Sequence, residues 1–129
     1  MENKFNFNSA ICTSMEQSRR LLALGLKKET ADMHYWKGVS GTWHLDAKPC
    51  NDAEEDNIPA WSLHRLLSML PIEIPCEVEN GLGMFLSNEN AVSYFGVLGY
   101  YTHDNLYDAV ILCIKDVIKE GYFNKEYLV

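Results

Sequence analysis

The chain has 129 residues, of which 47% are hydrophobic, and this length supports one hydrophobic core rather than two. Eleven basic residues against 18 acidic ones give a formal charge of −7. This balance argues against a nucleic-acid partner, because such affinity comes largely from basic side chains that neutralise phosphates. The sequence shows no signal peptide and no run of about 18 apolar residues, so we expect a cytoplasmic protein that does not span a membrane.

The first predicted element is a helix that is capped by Thr13 and ends at Gly25. Thr13 and Glu16 have the spacing of a capping box, in which the hydroxyl accepts a hydrogen bond from the first turn and the carboxylate reaches back to the cap. Gly25 suits the left-handed conformation that ends many helices. The sequence therefore predicts a helix of about three turns.

Two aromatic runs, residues 33–36 and 42–45, predict a β-hairpin whose reversal contains two glycines. Residues 46–57 then carry five acidic side chains against one lysine, with no apolar period, which predicts a solvated acidic loop.

Residues 59–70 have apolar side chains at helical spacing and begin with Pro59, which suits a first helical turn. They predict the second helix.

Residues 72–78 predict a short strand that Pro75 confines to the edge of a sheet or to a bulge. Residues 82–86 and 91–101 predict a second hairpin. Both alternating sets of side chains in its longer arm are apolar or aromatic, so this arm is expected to be covered on both faces. The last helix is predicted to be capped by Asp104 and to stop at Gly121.

This order of elements predicts one α+β domain over residues 1–129. We expect an antiparallel sheet of four to five strands, formed by two hairpins plus an edge strand, with three helices packed mainly on one face. The other face would then expose aromatic residues and form a surface for self-association or for a protein partner. The residues assigned to this interaction surface are Trp36, Trp43, Trp61, Tyr94 and Tyr100. For Trp61 the alternative is a core residue that anchors its helix to the sheet.

His34 and His44 are the weak candidates for metal ligands. They would face each other if the first hairpin centres on Val39, whereas a shift of half a residue places Trp36 opposite Trp43. Zinc needs at least three protein groups, and the others would have to be Asp32, Asp46 or Cys50. Because no ligand spacing recurs, ordinary strand histidines are the favoured interpretation, and we expect no cofactor.

The four cysteines are widely spaced and match neither a disulfide-rich miniprotein nor a C-x-x-C metal site, so we interpret Cys12, Cys50, Cys76 and Cys113 as free thiols. Cys113 lies in an apolar run and is expected to be buried. Cys12 precedes the first helix, whose N-terminus can depress a thiol pKa, but no histidine is tied to it by spacing. The chain contains no phosphate-binding glycine motif and no G-x-S-x-G nucleophile motif.

Two segments, Thr30-Ala31-Asp32-Met33 and Pro59-Ala60-Trp61-Ser62-Leu63, are the most specific of several that carry a resemblance across most of the chain. Residues 12–18, residues 24–26 and the closing helix with Gly121-Tyr122 also match. On these segments the chain resembles small proteins of unknown function from gut bacteria and from their phages or other mobile elements. The resemblance implies a cytoplasmic accessory protein of a bacterium or phage, and it carries no catalytic residues.

We therefore favour a non-enzymatic module that binds a protein partner or itself, since aromatic residues are abundant on the predicted strands and no catalytic constellation is evident. The alternative is a small metal- or thiol-dependent enzyme, or a ligand-binding protein, that uses His34 and His44 or Cys12. A DNA-binding role ranks third, because 11 basic residues would form a basic face only by clustering.

Overall fold

The computed structural model describes residues 10–49, 57–74, 82–87, 91–94, 100–102 and 105–129. Within these ranges the chain is α+β and contains three α-helices, as the sequence predicts. The described strands form two antiparallel sheets, one of three strands and one of four, so a single sheet of four to five strands is not confirmed. No helix in the described ranges is long and apolar enough to cross a membrane.

Helix α1 (Met15–Ala23) is capped by Ser14 and not by the predicted Thr13. The Ser14 hydroxyl accepts from the Gln17 N–H at 3.1 Å, and the Gln17 side-chain oxygen accepts from the Ser14 N–H at 2.9 Å. These two bonds form a capping box one residue later in the sequence than predicted. Gly25 ends the helix region with a φ of 103°, as predicted.

The first sheet contains β1 (Met33–Lys37), β2 (Trp43–Asp46) and β3 (Asn57–Ala60), in the order β2-β1-β3. Strands β1 and β2 are the predicted hairpin. Strand β3 was not predicted, because its residues were assigned to the end of the acidic loop and the start of the second helix. Pro59 fits this position since β3 is an edge strand, where a missing N–H does not break the ladder. Residues 50–56 of the predicted loop lie outside the described residues.

Helix α2 (Leu63–Met69) is therefore shorter than the predicted helix over residues 59–70. Ser62 caps it by accepting from the Arg65 N–H at 3.1 Å. The Asp32 carboxylate accepts two further bonds, from the Ser62 N–H at 2.9 Å and from the Ser62 hydroxyl at 2.6 Å. A carboxylate from the start of the first sheet thus holds the N-terminus of α2.

The second sheet contains β4 (Glu73–Ile74), β5 (Leu82–Ser87), β6 (Ala91–Tyr94) and β7 (Tyr100–Thr102), paired in that order. The predicted edge strand is confirmed over residues 73–74, since β4 lies at one edge of the described sheet, while residues 75–78 of the prediction lie outside the described residues. The predicted single long arm over residues 91–101 is wrong, because the chain reverses and places Val92 opposite Tyr101. An unbroken apolar sequence does not distinguish one long buried strand from two short ones, although glycines at 96 and 99 already weaken a continuous strand.

Helix α3 (Leu106–Lys119) contacts both other helices and strands β6 and β7. It is capped by Asn105, whose side chain accepts from the Tyr107 N–H at 2.8 Å, while the predicted cap Asp104 lies outside the described residues. Gly121 follows with a φ of 80°, as predicted. The helix sits at the centre of the main core, which includes Leu21, Trp61, Leu66, Ile74, Val92, Val110, Cys113 and Ile114.

A smaller apolar cluster lies under the first sheet. Cys12, Met33 and Ala60 form it, and Tyr35 and Leu45 pack against it. Successive side chains of a strand point to opposite faces of the sheet. One face of β1 and β2 therefore packs against this cluster, and the other face points away from it.

Candidate functional site

The candidate site is the β1–β2 hairpin, which carries both candidate histidines and two of the candidate tryptophans. Its reversal is closed by a bond from the Gly38 N–H to the Thr42 carbonyl and by one from the Gly41 N–H to the Gly38 carbonyl, both 2.9 Å long. Gly41 has a φ of 82°. This is a three-residue loop in which a turn is followed by a left-handed glycine. The hairpin is therefore centred on Ser40.

This centre fixes a register that neither sequence prediction contained. Trp36 lies opposite His44, and Lys37 lies opposite Trp43. The predicted pairing of His34 with His44 is wrong, as is the alternative pairing of Trp36 with Trp43. The reason is the turn chemistry: the left-handed residue is Gly41, so the loop extends further along the chain than a loop centred on Val39.

His34 and His44 consequently do not form one ligand set. His34 places Nδ1 2.7 Å from the Lys48 carbonyl oxygen and Nε2 4.0 Å from the Asp46 carboxylate. The Asp32 carboxylate is engaged at the N-terminus of α2. Across the described ranges, no three His, Cys, Asp or Glu side chains converge in a way that could hold a metal ion. Cys50 lies outside those ranges.

The aromatic side chains of the hairpin lie on both faces of the sheet. The Trp36 ring stacks on the exposed His44 ring, with centroids 4.3 Å apart and planes inclined by 25°. The indole N–H of Trp36 is buried and has no hydrogen-bond acceptor among the described residues. Trp43 is half-buried on the opposite face, where the Lys37 ammonium lies 6.0 Å from its ring centroid. Trp36 and Trp43 therefore belong to two surfaces.

Trp61 does not belong to a surface, because its side chain is completely buried. Its indole N–H donates to the Thr30 hydroxyl at 3.0 Å. The assignment of Trp61 to the interaction surface is corrected by this burial, and the core alternative describes the residue. Tyr94 and Tyr100 lie on β6 and β7 of the second sheet, and their side chains are outside what the structure describes. The five aromatic residues thus do not share one sheet.

Cys12 lies in the small apolar cluster with only 4% of its surface exposed. Its sulfur is 3.5 Å from the Tyr35 hydroxyl oxygen. That hydroxyl donates its proton to the Thr13 carbonyl at 2.8 Å, so the thiol is the donor to the phenol oxygen. Burial in this apolar cluster is the main cause that raises the pKa of the Cys12 thiol. A nucleophilic thiol requires the opposite shift.

Alkylation of Cys12 in the folded protein is expected to be slow, because the thiol is buried and its pKa is raised. Iodoacetamide labelling at pH 8, followed by peptide mass spectrometry with and without denaturant, measures this directly. Cys113 is the matched comparison, since burial raises its pKa to about 12. Rapid labelling of Cys12 without denaturant would contradict the expectation.

The raised thiol pKa values also give a sign for the pH dependence of stability. The folded chain binds the thiol protons of Cys12 and Cys113 more tightly than the unfolded chain does. Their contribution to the free energy of unfolding is therefore fully present below the ordinary thiol pKa, and it is lost as the pH rises through the pKa values of the folded chain.

Sequence reasoning missed the bonds that join α3 to α1 and to the segment that precedes α1. The Tyr107 hydroxyl donates to the Ala10 carbonyl at 2.9 Å. Asp108 on α3 pairs with Arg20 and accepts from the Gln17 side chain at 3.1 Å. Each bond joins residues that are far apart in the chain, and no local spacing indicates such partners.

The outer edge of β2 is the remaining feature of the hairpin. Within the described residues, β2 is paired only with β1, which leaves its other edge open. An open edge presents unpaired N–H and C=O groups to an added strand. Comparisons with protein families, with curated proteins and with solved structures find no match to this chain.

Proposed function

We propose that this protein is a non-enzymatic interaction module, an accessory protein of the cytoplasm of a bacterium or phage, that binds a protein partner or a second copy of itself through the β1–β2 hairpin. The observation that carries the proposal is that the outer edge of β2 is open among the described strands, with half-buried or exposed rings on both faces of the sheet there. Trp43 lies on one face, and the Trp36–His44 stack lies on the other.

The physical basis is the combination of backbone pairing with aromatic contact. An added strand gains main-chain hydrogen bonds along the edge, and its side chains gain contact with the rings that flank it. Tryptophan is among the residues that contribute most to interfaces when it becomes fully desolvated. Tyr94 and Tyr100 on the second sheet are proposed as a further part of the interaction surface.

Replacing Trp43 by serine tests the proposal. In sedimentation velocity up to about 100 µM, we expect the wild-type protein to associate and Trp43→Ser to weaken that association about tenfold or more. Tyr122→Ser is the matched control, since Tyr122 is an exposed aromatic residue beyond the end of α3, away from the hairpin, and its loss should change nothing. Circular dichroism confirms that each variant is folded.

The same two variants extend the test to a partner protein. Affinity purification with the wild-type chain is expected to enrich a protein that Tyr122→Ser also enriches and that Trp43→Ser does not. A wild-type chain that neither associates nor enriches any Trp43-dependent protein would contradict the proposal. The enzyme alternative is not favoured by the geometry, because Cys12 is buried with a raised pKa and His34 and His44 do not converge.

A further inference from the structure

The hydrogen-bonding pattern between β1 and β2 determines which backbone groups of β2 face the edge that is open among the described strands. In an antiparallel pair, opposite residues alternate between those that exchange hydrogen bonds and those that do not. The bond from the Gly38 N–H to the Thr42 carbonyl makes the pair at 38 and 42 a bonded one. The bonded pairs that follow are Trp36 with His44 and His34 with Asp46. The N–H and C=O groups of Trp43 and Leu45 therefore point away from β1.

We infer that the strand that fills this edge is β2 of a second copy of the chain, antiparallel to the first across a two-fold axis at Leu45. The inference rests on the proposed function and names the partner. Joining the two three-stranded sheets in this way produces a continuous six-stranded antiparallel sheet. A two-fold contact uses the same surface on both copies, so β2 must be complementary to itself.

The register follows from two requirements. Residues whose backbone groups face the edge must pair with each other, which allows Leu45 opposite the partner's Leu45, Trp43 opposite the partner's Leu45, or Trp43 opposite the partner's Trp43. The last of these places His44 opposite the partner's Thr42, which carries no charge. The first register places His44 opposite the partner's Asp46, and symmetry repeats this pair. The second places His44 opposite the partner's His44. Only the first places a hydrogen-bond donor opposite a carboxylate, since an imidazole N–H donates to a carboxylate in either protonation state.

The side chains at this position are accessible from solvent, although His44 stacks on Trp36 and the Asp46 carboxylate lies 4.0 Å from His34 Nε2 of its own chain. His44 is exposed, and the Asp46 side chain is 48% exposed. On the other face, Leu45 is partly buried against the cluster of Cys12, Met33 and Ala60. Placing the partner's Leu45 beside it extends this apolar cluster across the two-fold axis, which adds hydrophobic burial to the backbone bonds.

A charge exchange tests the register. His44→Asp places two carboxylates opposite each other at both symmetric positions, and Asp46→Lys places a lysine opposite a histidine. Each variant alone is expected to have a dimer dissociation constant about tenfold or more above that of the wild type. Mixed in equal amounts, the two are expected to form a heterodimer. In that heterodimer the introduced aspartate of one copy lies opposite the introduced lysine of the other, and the second symmetric position keeps the native pair of His44 with Asp46.

His64→Asp and Glu126→Lys are controls that change the charge by the same amounts at exposed positions away from β2, and both should dimerise as the wild type does. Recovery of the dimer in the mixture also shows that neither β2 variant is misfolded. If both β2 variants dimerise normally while Trp43→Ser does not, the register and the two-fold contact are wrong and the interaction module stands. If the wild type is monomeric but binds another protein that Trp43→Ser does not bind, the partner is not a second copy.

Discussion

Trp61→Ala is expected to lower the free energy of unfolding by about 3–5 kcal/mol, which is the range for removing a large aromatic side chain from a core. Trp61 is the largest of the completely buried side chains. Its removal would leave a cavity in the main core, and would also leave the Thr30 hydroxyl without the indole donor. For a domain of this size, such a loss is a large fraction of the total stability.

Urea denaturation followed by far-ultraviolet circular dichroism measures this change without relying on tryptophan fluorescence. Trp61→Phe separates the two contributions, because it retains a ring and removes only the indole donor and part of the volume, so its cost should be clearly smaller. Trp43→Ala is the control for a half-buried indole. A change below about 1 kcal/mol for Trp61→Ala would mean that the residue is not part of the core.

Thr13→Val is expected to cost about 2 kcal/mol, although valine has nearly the same shape as threonine. The Thr13 hydroxyl is completely buried, accepts from the Trp61 backbone N–H at 3.1 Å, and lies 2.8 Å from the Ser18 hydroxyl. Valine cannot replace either bond, so a buried N–H and a buried hydroxyl each lose a partner. The bond from the Thr13 N–H to the Trp61 carbonyl, 2.9 Å long, is retained.

The same denaturation measurement applies, with Thr42→Val as the control because Thr42 is exposed in the hairpin loop. A double-mutant cycle with Ser18→Ala isolates the bond between the two hydroxyls. If Thr13→Val and Thr42→Val have equal effects, the buried hydroxyl makes no net contribution and the connection between the start of α1 and the end of the first sheet depends on the backbone bond.

The elements that sequence predicted well are those whose signals are local. Gly25 and Gly121 mark the ends of α1 and α3, because a residue with a positive φ after a helix is recognisable from its own identity. The first hairpin was predicted because two aromatic runs flank a segment that contains glycine. The cap of α1 is Ser14, one residue after the predicted Thr13, since several neighbouring residues can all act as caps.

The candidate site depends on a finer property, the register of the hairpin. Sequence placed His34 or Trp36 opposite the wrong residue because two glycines in the reversal allow more than one loop. The observed loop, with Gly41 in the left-handed conformation, is selected together with the packing of Tyr35 and Leu45 over Cys12. A change of one residue in this pairing exchanges the faces of the sheet, so the partners of both histidines follow from it.

The sequence by itself determined the α+β class, the ends of the first and last helices, the first hairpin and the absence of recognisable catalytic motifs, because composition, periodicity and capping act over a few residues. Only the tertiary structure decided that residues 57–60 form a strand, that Trp61 is core, that Cys12 is a protected thiol, and that β2 has an open edge among the described strands. These properties arise from contacts between residues that are distant in the chain, and such contacts leave no local pattern.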